Sequence, residues 1–141
     1  MTSQRATRQR PRLLIADDDL VITSLLSATL DQDFEVVGIA TDSEEAIALA
    51  GSSQPDVALI DVEMPKGGAP RAVPGIVEVA PEAAIVVLSG DESDQLVRDL
   101  IRAGAVAYSR KGIDPEDLVA LLHNSIEVRA IERARLRVPT A

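Results

Sequence analysis

The feature that most constrains this chain is the alternation of five short apolar runs with segments of helical periodicity. The apolar runs are Leu13–Ala16, Phe34–Ile39, Val57–Ile60, Ala84–Leu88 and the shorter Val106–Ser109. Because these runs are continuous rather than interleaved with polar residues, they predict strands that helices cover on both faces. The repeated strand–helix order therefore predicts an α/β domain with a parallel five-stranded sheet and right-handed crossovers.

The helical segments differ in how clearly they begin and end. Four are predicted at Leu20–Leu30, Asp42–Ala50, Asp91–Ala103 and from Pro115 to at least Ile126. The third of the five helices is expected to be short or broken between Arg71 and Val79, because Pro74 and Gly75 interrupt it. A proline inside a helix costs about 3 kcal/mol.

Composition and charge exclude several classes of protein. The 141 residues suit one domain, and the absence of cysteine excludes disulfides and thiolate metal sites. The net charge is −9, and eight of the 14 basic residues lie in residues 1–12 and 129–137, so the body is strongly acidic. This balance argues against direct nucleic-acid binding by this segment. Without an apolar stretch of roughly 20 residues or a signal-peptide core, we expect a cytoplasmic protein that does not bind membranes.

Polar side chains follow the predicted strands at one edge of the sheet. Asp17 and Asp18 follow the first strand, Asp61 the third, Ser89 the fourth and Lys111 the fifth. Ligands of doubly wound sheets bind beyond these carboxyl ends. Clustered carboxylates repel one another strongly, so a folded protein keeps them when a cation or raised pKa values relieve the repulsion.

The residue types at this edge indicate a particular chemistry. Oxygen ligands without a nearby His or Cys favour Mg²⁺ over zinc, and the only histidine, His123, is expected to be a surface or packing residue. A carboxylate, a magnesium ion and a lysine together suggest phosphoryl transfer with in-line attack by the carboxylate. The hydroxyl of Ser89 can donate a hydrogen bond to a phosphoryl oxygen.

Four segments resemble the response-regulator receiver family of two-component signalling. Leu13–Asp19 resembles its acidic first-strand motif, and Val57–Pro65 its phospho-acceptor strand with the following Met-Pro turn. Val86–Gly90 and Gly104–Lys111 resemble the strands that carry its switch Ser/Thr, its switch aromatic and its lysine. The match covers residues 12–126 in order. It implies a flavodoxin-like, doubly wound (βα)5 three-layer sandwich with strand order 2-1-3-4-5.

The resemblance also implies a role for each matching residue. Asp61 would accept a phosphoryl group from a histidine kinase or phosphotransfer protein, and Lys111 would pair with that group. The Mg²⁺ ligands would be Asp17, Asp18, Asp61 and the backbone carbonyl of Glu63. Ser89 and Tyr108 would relay phosphorylation to the face made by the fourth helix, fifth strand and fifth helix, where a partner, an output domain or a second copy could bind. Apart from its own phosphorylation and dephosphorylation, such a domain would not be an enzyme.

The chain departs from the family pattern at several positions. Gly112 follows the lysine where many relatives have proline, and Gly90 replaces the more usual alanine. Glu63 and Asp91 add acidic charge two residues beyond Asp61 and Ser89. We expect this charge to disfavour some small anionic phosphodonors.

The remaining segments predict the domain organisation. Residues 1–11 are expected to form a basic disordered arm, 12–126 the receiver domain, and 127–141 a helical extension and tail. Two alternative functions stay open at this point. One is a degenerate receiver that binds a partner without phosphorylation. The other is a haloacid-dehalogenase-like phosphatase, although Asp61–Pro65 lacks that family's second aspartate.

Overall fold

The computed structural model describes residues 10–137, without the side chain of Arg137. Its strands are β1 Arg12–Ala16, β2 Glu35–Ala40, β3 Val57–Asp61, β4 Ala84–Ser89 and β5 Ala107–Arg110. Its helices are α1 Leu20–Leu30, α2 Ser43–Ser53, α3 Gly68–Val79, α4 Asp94–Ala103 and α5 Pro115–Arg137. Most of the predicted arm and residues 138–141 lie outside this range, so the predicted domain boundaries stay a prediction.

The five strands form one parallel sheet in the order β2-β1-β3-β4-β5, which confirms the predicted doubly wound fold. Strands β1, β3 and β4 are buried along almost their whole length. Strand β2 lies at the edge and is half-buried, so the expectation of full coverage was wrong for this strand. Phe34, just before β2, is fully buried, and its ring stacks on His123 with centroids 4.7 Å apart.

Successive side chains of the central strands point to opposite faces of the sheet and form two cores. On one face, Leu14, Ile60 and Ile85 pack with the small buried residues of α2 and α3. On the other, Ile15 and Leu59 belong to a core completed by three leucines of α1 and α5. Those leucines are Leu30, Leu118 and Leu122. Helices thus cover both faces of the sheet, as expected of a three-layer sandwich.

Helix α3 is continuous, so the prediction of a short or broken helix was wrong. Pro74 is exposed, and so is Pro70, whose carbonyl loses its helical N–H partner to the proline. Ala72, Val73 and Ile76 are buried on the opposite side, and their burial offsets the cost of the proline. A Cβ at position 75 would overlap the side chain of Ile47, so glycine there lets α2 and α3 pack closely.

Side-chain caps fix where several helices begin. Asp19 accepts hydrogen bonds from the backbone N–H groups of Val21 and Ile22, at 2.9 and 3.3 Å, and so caps α1. Helix α4 begins at Asp94, three residues later than predicted, because the Ser93 hydroxyl accepts from the N–H of Leu96 and caps it there. The residues before Ser93 are left free to form the loop beside the site.

Helix α5 continues without a break past Ile126 to Arg137. The Arg129 guanidinium donates hydrogen bonds of 3.2 and 2.7 Å to the carbonyl of Pro81. The extension is therefore tied to the turn between α3 and β4. Among the described residues, no helix is both long and apolar enough to cross a membrane.

Candidate functional site

The sheet topology brings the predicted site residues to one edge. Asp17 directly follows β1, Asp61 is the last residue of β3, and Ser89 is the last residue of β4. Lys111 directly follows β5. Because the strands are parallel and paired in register, their carboxyl ends meet at this edge.

Three carboxylates form the centre of the site. One oxygen each from Asp17, Asp18 and Asp61 lies within 4.8 Å of the other two. Asp17 and Asp61 are each 2% exposed, whereas Asp18 is exposed. They line a cavity of about 570 Å³, and its other polar walls are Asp19, Glu63 and Lys111. The polar lining of the cavity is therefore acidic apart from Lys111.

Two buried oxygens in this cavity lack a hydrogen-bond partner. Asp17 Oδ1 accepts from the N–H of Asp19 at 2.9 Å, but its Oδ2 has no partner within residues 10–137. Asp61 Oδ1 lies 2.9 Å from Lys111 Nζ, an ion pair without the angles of a hydrogen bond. Buried carboxylate oxygens without a hydrogen bond lower the stability of the folded protein unless a cation or another donor contacts them. The donor set fits a hard divalent ion.

Burial and charge set the ionisation of these groups. Burial raises the pKa of Asp17, and the neighbouring Asp61 and Asp18 carboxylates raise it further, against the N–H of Asp19 and the charge of Lys111. Burial also raises the pKa of Asp61, although Lys111 opposes the shift. The pKa of Lys111 is raised because its contact with Asp61 outweighs its own burial. The lysine therefore stays charged while the carboxylates are held in an environment that disfavours their charge.

Ser89 reaches the same edge but does not line the acidic cavity. Its hydroxyl donates a hydrogen bond of 3.0 Å to Glu92 Oε1, which also accepts from the N–H of Gly90. Burial would raise the pKa of Glu92, but hydrogen bonds from its own backbone, Ser89 and Gly90 lower it overall. Sequence reasoning missed Glu92. The available signal was the Ser-x-x-Glu spacing of residues 89–92, which more often marks a helix cap.

The other predicted residues lie around this centre. Tyr108 is 52% exposed on β5, beside Val97 and Ile101 of α4. Glu63 and Asp91 are exposed, so the expected effect of their charge on small phosphodonors stays a prediction. Gly112 has a φ of +91°, which proline cannot adopt. The glycine that replaces the family's usual proline thus gives the loop after Lys111 a different backbone path.

Comparison with known proteins decides the family. The model of the response regulator receiver domain matches residues 13–123. The chain belongs to the response-regulator receiver family. Such domains are components of two-component signalling and are generally not catalytic enzymes.

Relatives of this receiver domain include longer regulators. It is 35% identical to the response regulator GacA of Pseudomonas aeruginosa over 108 residues, which cover 76% of this chain and 50% of that protein. It is 34% identical to the transcriptional regulatory protein PdtaR of Mycobacterium tuberculosis over 128 residues, covering 86% and 61%. The chain therefore spans about half to three-fifths of the length of these relatives.

Solved receiver structures have the same fold. The CheY-like receiver domain protein of Methanospirillum hungatei superposes with a TM-score of 0.80 at 24% identity, covering 88% of this chain and 99% of that one. The receiver domain of AraT, a response regulator of Geobacillus stearothermophilus, gives a TM-score of 0.75 at 27% identity, covering 87% and 98%.

Proposed function

We propose that this receiver domain accepts a phosphoryl group on Asp61 from a histidine kinase or phosphotransfer protein, in a Mg²⁺-dependent reaction. The observation that carries the proposal is the buried Asp61 carboxylate, with one oxygen 2.9 Å from Lys111 Nζ and two further carboxylates beside it. A carboxylate so placed has a cationic partner for an incoming phosphoryl group and an acidic pocket for a metal.

Asp17, Asp18, Asp61 and the backbone carbonyl of Glu63 would hold the Mg²⁺ ion. The unpartnered Oδ2 of Asp17 supports this assignment, because a cation would satisfy it, and the Asp61 carboxylate lines the same cavity. When bound, the ion supplies positive charge that offsets the carboxylates and the phosphoryl oxygens.

The chain's own residues do the rest of the chemistry. A carboxylate oxygen of Asp61 attacks phosphorus in line as the P–N bond of the donor phosphohistidine breaks, and the released imidazole nitrogen takes up a proton. Lys111 pairs with the phosphoryl oxygens, for which its raised pKa keeps it charged. The Ser89 hydroxyl then donates a hydrogen bond to one of these oxygens.

Phosphorylation would act by shifting the domain between two conformations. Ser89 and Tyr108 lie on adjacent strands, since Val87 pairs with Tyr108 and Ser89 with Arg110. Through them the change would reach the face formed by α4, β5 and α5, which would bind an output domain, a partner or a second copy. The greater length of the relatives supports an output region in such proteins.

The test is mass spectrometry after treatment with acetyl phosphate and Mg²⁺. We expect one added phosphoryl group in the wild type and none in Asp61→Asn or after chelation of the metal. Equal labelling of Asp61→Asn would overturn the assignment of the acceptor. A wild type that binds Mg²⁺ but takes no label from acetyl phosphate or a phosphorylated histidine donor would instead indicate a receiver that binds partners without phosphorylation.

A further inference from the structure

The loop between β4 and α4, residues 90–93, is held against the site by one carboxylate. Glu92 Oε1 accepts from both the Ser89 hydroxyl and the Gly90 N–H. Such bonds to a charged acceptor are about twice as strong as bonds between neutral groups. Both donors at the end of β4 are therefore occupied before any phosphoryl group arrives.

These donors belong to the immediate surroundings of Asp61. Strands β3 and β4 are neighbours, with Asp61 paired to Leu88, and the N–H of Lys111 donates to the Ser89 carbonyl at 2.9 Å. The charge of Glu92 contributes to the raised pKa of Lys111, so the carboxylate lies within electrostatic reach of the lysine. Glu92 thus presents an anion to Ser89, Gly90 and Lys111, all of which a phosphoryl group on Asp61 would approach.

We propose that Glu92 is an internal competitor of the phosphoryl group, which gains the Ser89 hydroxyl and the Gly90 N–H only by displacing the Glu92 carboxylate. The inference rests on the proposed phosphorylation of Asp61. Its consequence is that Glu92 weakens the binding of phosphoryl oxygens and sets how readily the domain switches. Displacement also frees the loop that leads into α4.

A second contact holds the side of the loop that faces away from Glu92's bonds, so only the Glu92 contacts are exchanged. The Arg110 guanidinium donates a hydrogen bond of 3.0 Å to the Gly90 carbonyl, so β5 holds the other side of the same peptide segment. The loop can therefore exchange Glu92 for a phosphoryl oxygen while its link to β5 persists.

Asp91 provides a matched control. It carries the same charge one residue away, but it is exposed and makes no hydrogen bond to Ser89 or Gly90 in the described structure. An effect of general negative charge would appear in Asp91→Ala and Glu92→Ala alike. If the effect arises because Glu92 occupies the Ser89 and Gly90 donors, it should appear in Glu92→Ala alone.

The experiment measures the affinity for beryllofluoride, a phosphoryl mimic, in saturating Mg²⁺ by amide NMR on the full chain. Glu92→Ala should bind about fivefold more tightly than wild type, as expected for release of a partly exposed charge-assisted bond, and Asp91→Ala less than about twofold. The Gly90 amide signal of Glu92→Ala without the mimic should differ from that of free wild type. The same signal of wild type should shift when the mimic binds. Glu92→Gln, which keeps the size of the side chain, should lie between wild type and Glu92→Ala.

A double-mutant cycle separates displacement from other effects. In a Ser89→Ala background, one of the two donors is gone, so the gain from Glu92→Ala should shrink. Equal gains in Glu92→Ala and Asp91→Ala, or an undiminished gain without Ser89, would overturn the inference. Failure of wild type to bind beryllofluoride or take label on Asp61 would defeat the proposed function itself, and the inference with it.

Discussion

The two edges of the sheet treat their polar groups in opposite ways, and only the carboxyl edge buries them. At the amino edge the polar groups are paired: the Arg12 N–H donates to Asp56 at 2.8 Å, and Arg129 donates twice to Pro81. At the carboxyl edge, Asp17 and Asp61 keep buried oxygens without hydrogen bonds. The comparison indicates that the amino edge contributes stability, whereas the carboxyl edge keeps the unpartnered oxygens that the proposed binding of a cation and a phosphoryl group would use. Substitutions at the carboxyl edge should therefore affect labelling, whereas those at the amino edge should affect stability alone.

The largest effect is expected at Lys111. Lys111→Ala should lower the rate of Asp61 labelling by acetyl phosphate by about 100-fold, because a positioned positive charge is lost from the transferring group. Removing the lysine also leaves the buried Asp61 carboxylate without its ion-pair partner, so the free energy of unfolding should fall too. Mass spectrometry over time measures the first quantity and urea unfolding the second.

A charge-retaining variant sharpens the result. Lys111→Arg keeps the charge but replaces a compact ammonium with a larger planar group, so we expect only partial recovery of labelling. Wild-type labelling rates in Lys111→Ala would show that the ion pair with Asp61 has no part in phosphoryl transfer.

The next prediction concerns Asp17, whose burial should make the metal-free protein less stable. Asp17→Asn should raise the free energy of unfolding at pH 7 by about 1 kcal/mol, because it removes a buried charge with an unpartnered oxygen. The folded-state pKa of Asp17 lies above its ordinary value, so its contribution to stability falls as pH rises from about 4 through the raised pKa. The gain from the substitution should therefore be largest at pH 7 and shrink towards pH 4.

Magnesium and Asp18 supply the controls for this prediction. Mg²⁺ should stabilise wild type and narrow its difference from Asp17→Asn, because the ion binds only the folded carboxylate cluster. Asp18→Asn should change metal-free stability less, since Asp18 is exposed. Thermal unfolding of the three proteins with and without Mg²⁺ measures both effects. A less stable Asp17→Asn at pH 7 would contradict the predicted cost of burying the Asp17 carboxylate with an unpartnered oxygen.

The sequence predicted the carboxyl edge better than the loops around it. Asp17, Asp61 and Lys111 were found because they directly follow or end short apolar strands, and parallel pairing then brings them together. Glu92 was not predicted from the sequence, because its contacts depend on how the loop after β4 folds back on Ser89.

The errors in the helices have the same origin. The continuity of α3 depends on contacts that no local rule contains, above all the close approach of Ile47 to Gly75. Pro74 then destabilises the helix less than expected, because Pro70, whose carbonyl lacks a helical hydrogen bond, is an exposed residue. Local sequence was sufficient where an element's own residues decide its structure, and insufficient where a neighbouring element does.

At the amino edge, Arg129→Ala should lower the free energy of unfolding by about 1 kcal/mol, since two hydrogen bonds to the Pro81 carbonyl are lost. Asp61 labelling should not change. Urea unfolding and the acetyl phosphate assay on the same preparation check both statements. A slower labelling rate would show that the two edges are coupled.

The smallest effect is expected one turn further along α5. Arg133 forms an ion pair with Glu82 at 2.9 Å, but the Glu82 side chain is 68% exposed. Such pairs contribute about 0.2–1 kcal/mol and are screened by salt. Arg133→Ala should therefore cost less than Arg129→Ala, and the cost should decline between low and high ionic strength in urea unfolding. Two of the Arg129 bonds end on the Pro81 backbone carbonyl, and only its 3.3 Å contact with Glu132 ends on a carboxylate. The contribution of Arg129 should therefore depend less on salt, and a reversed order would place the anchor of the extension at Glu82.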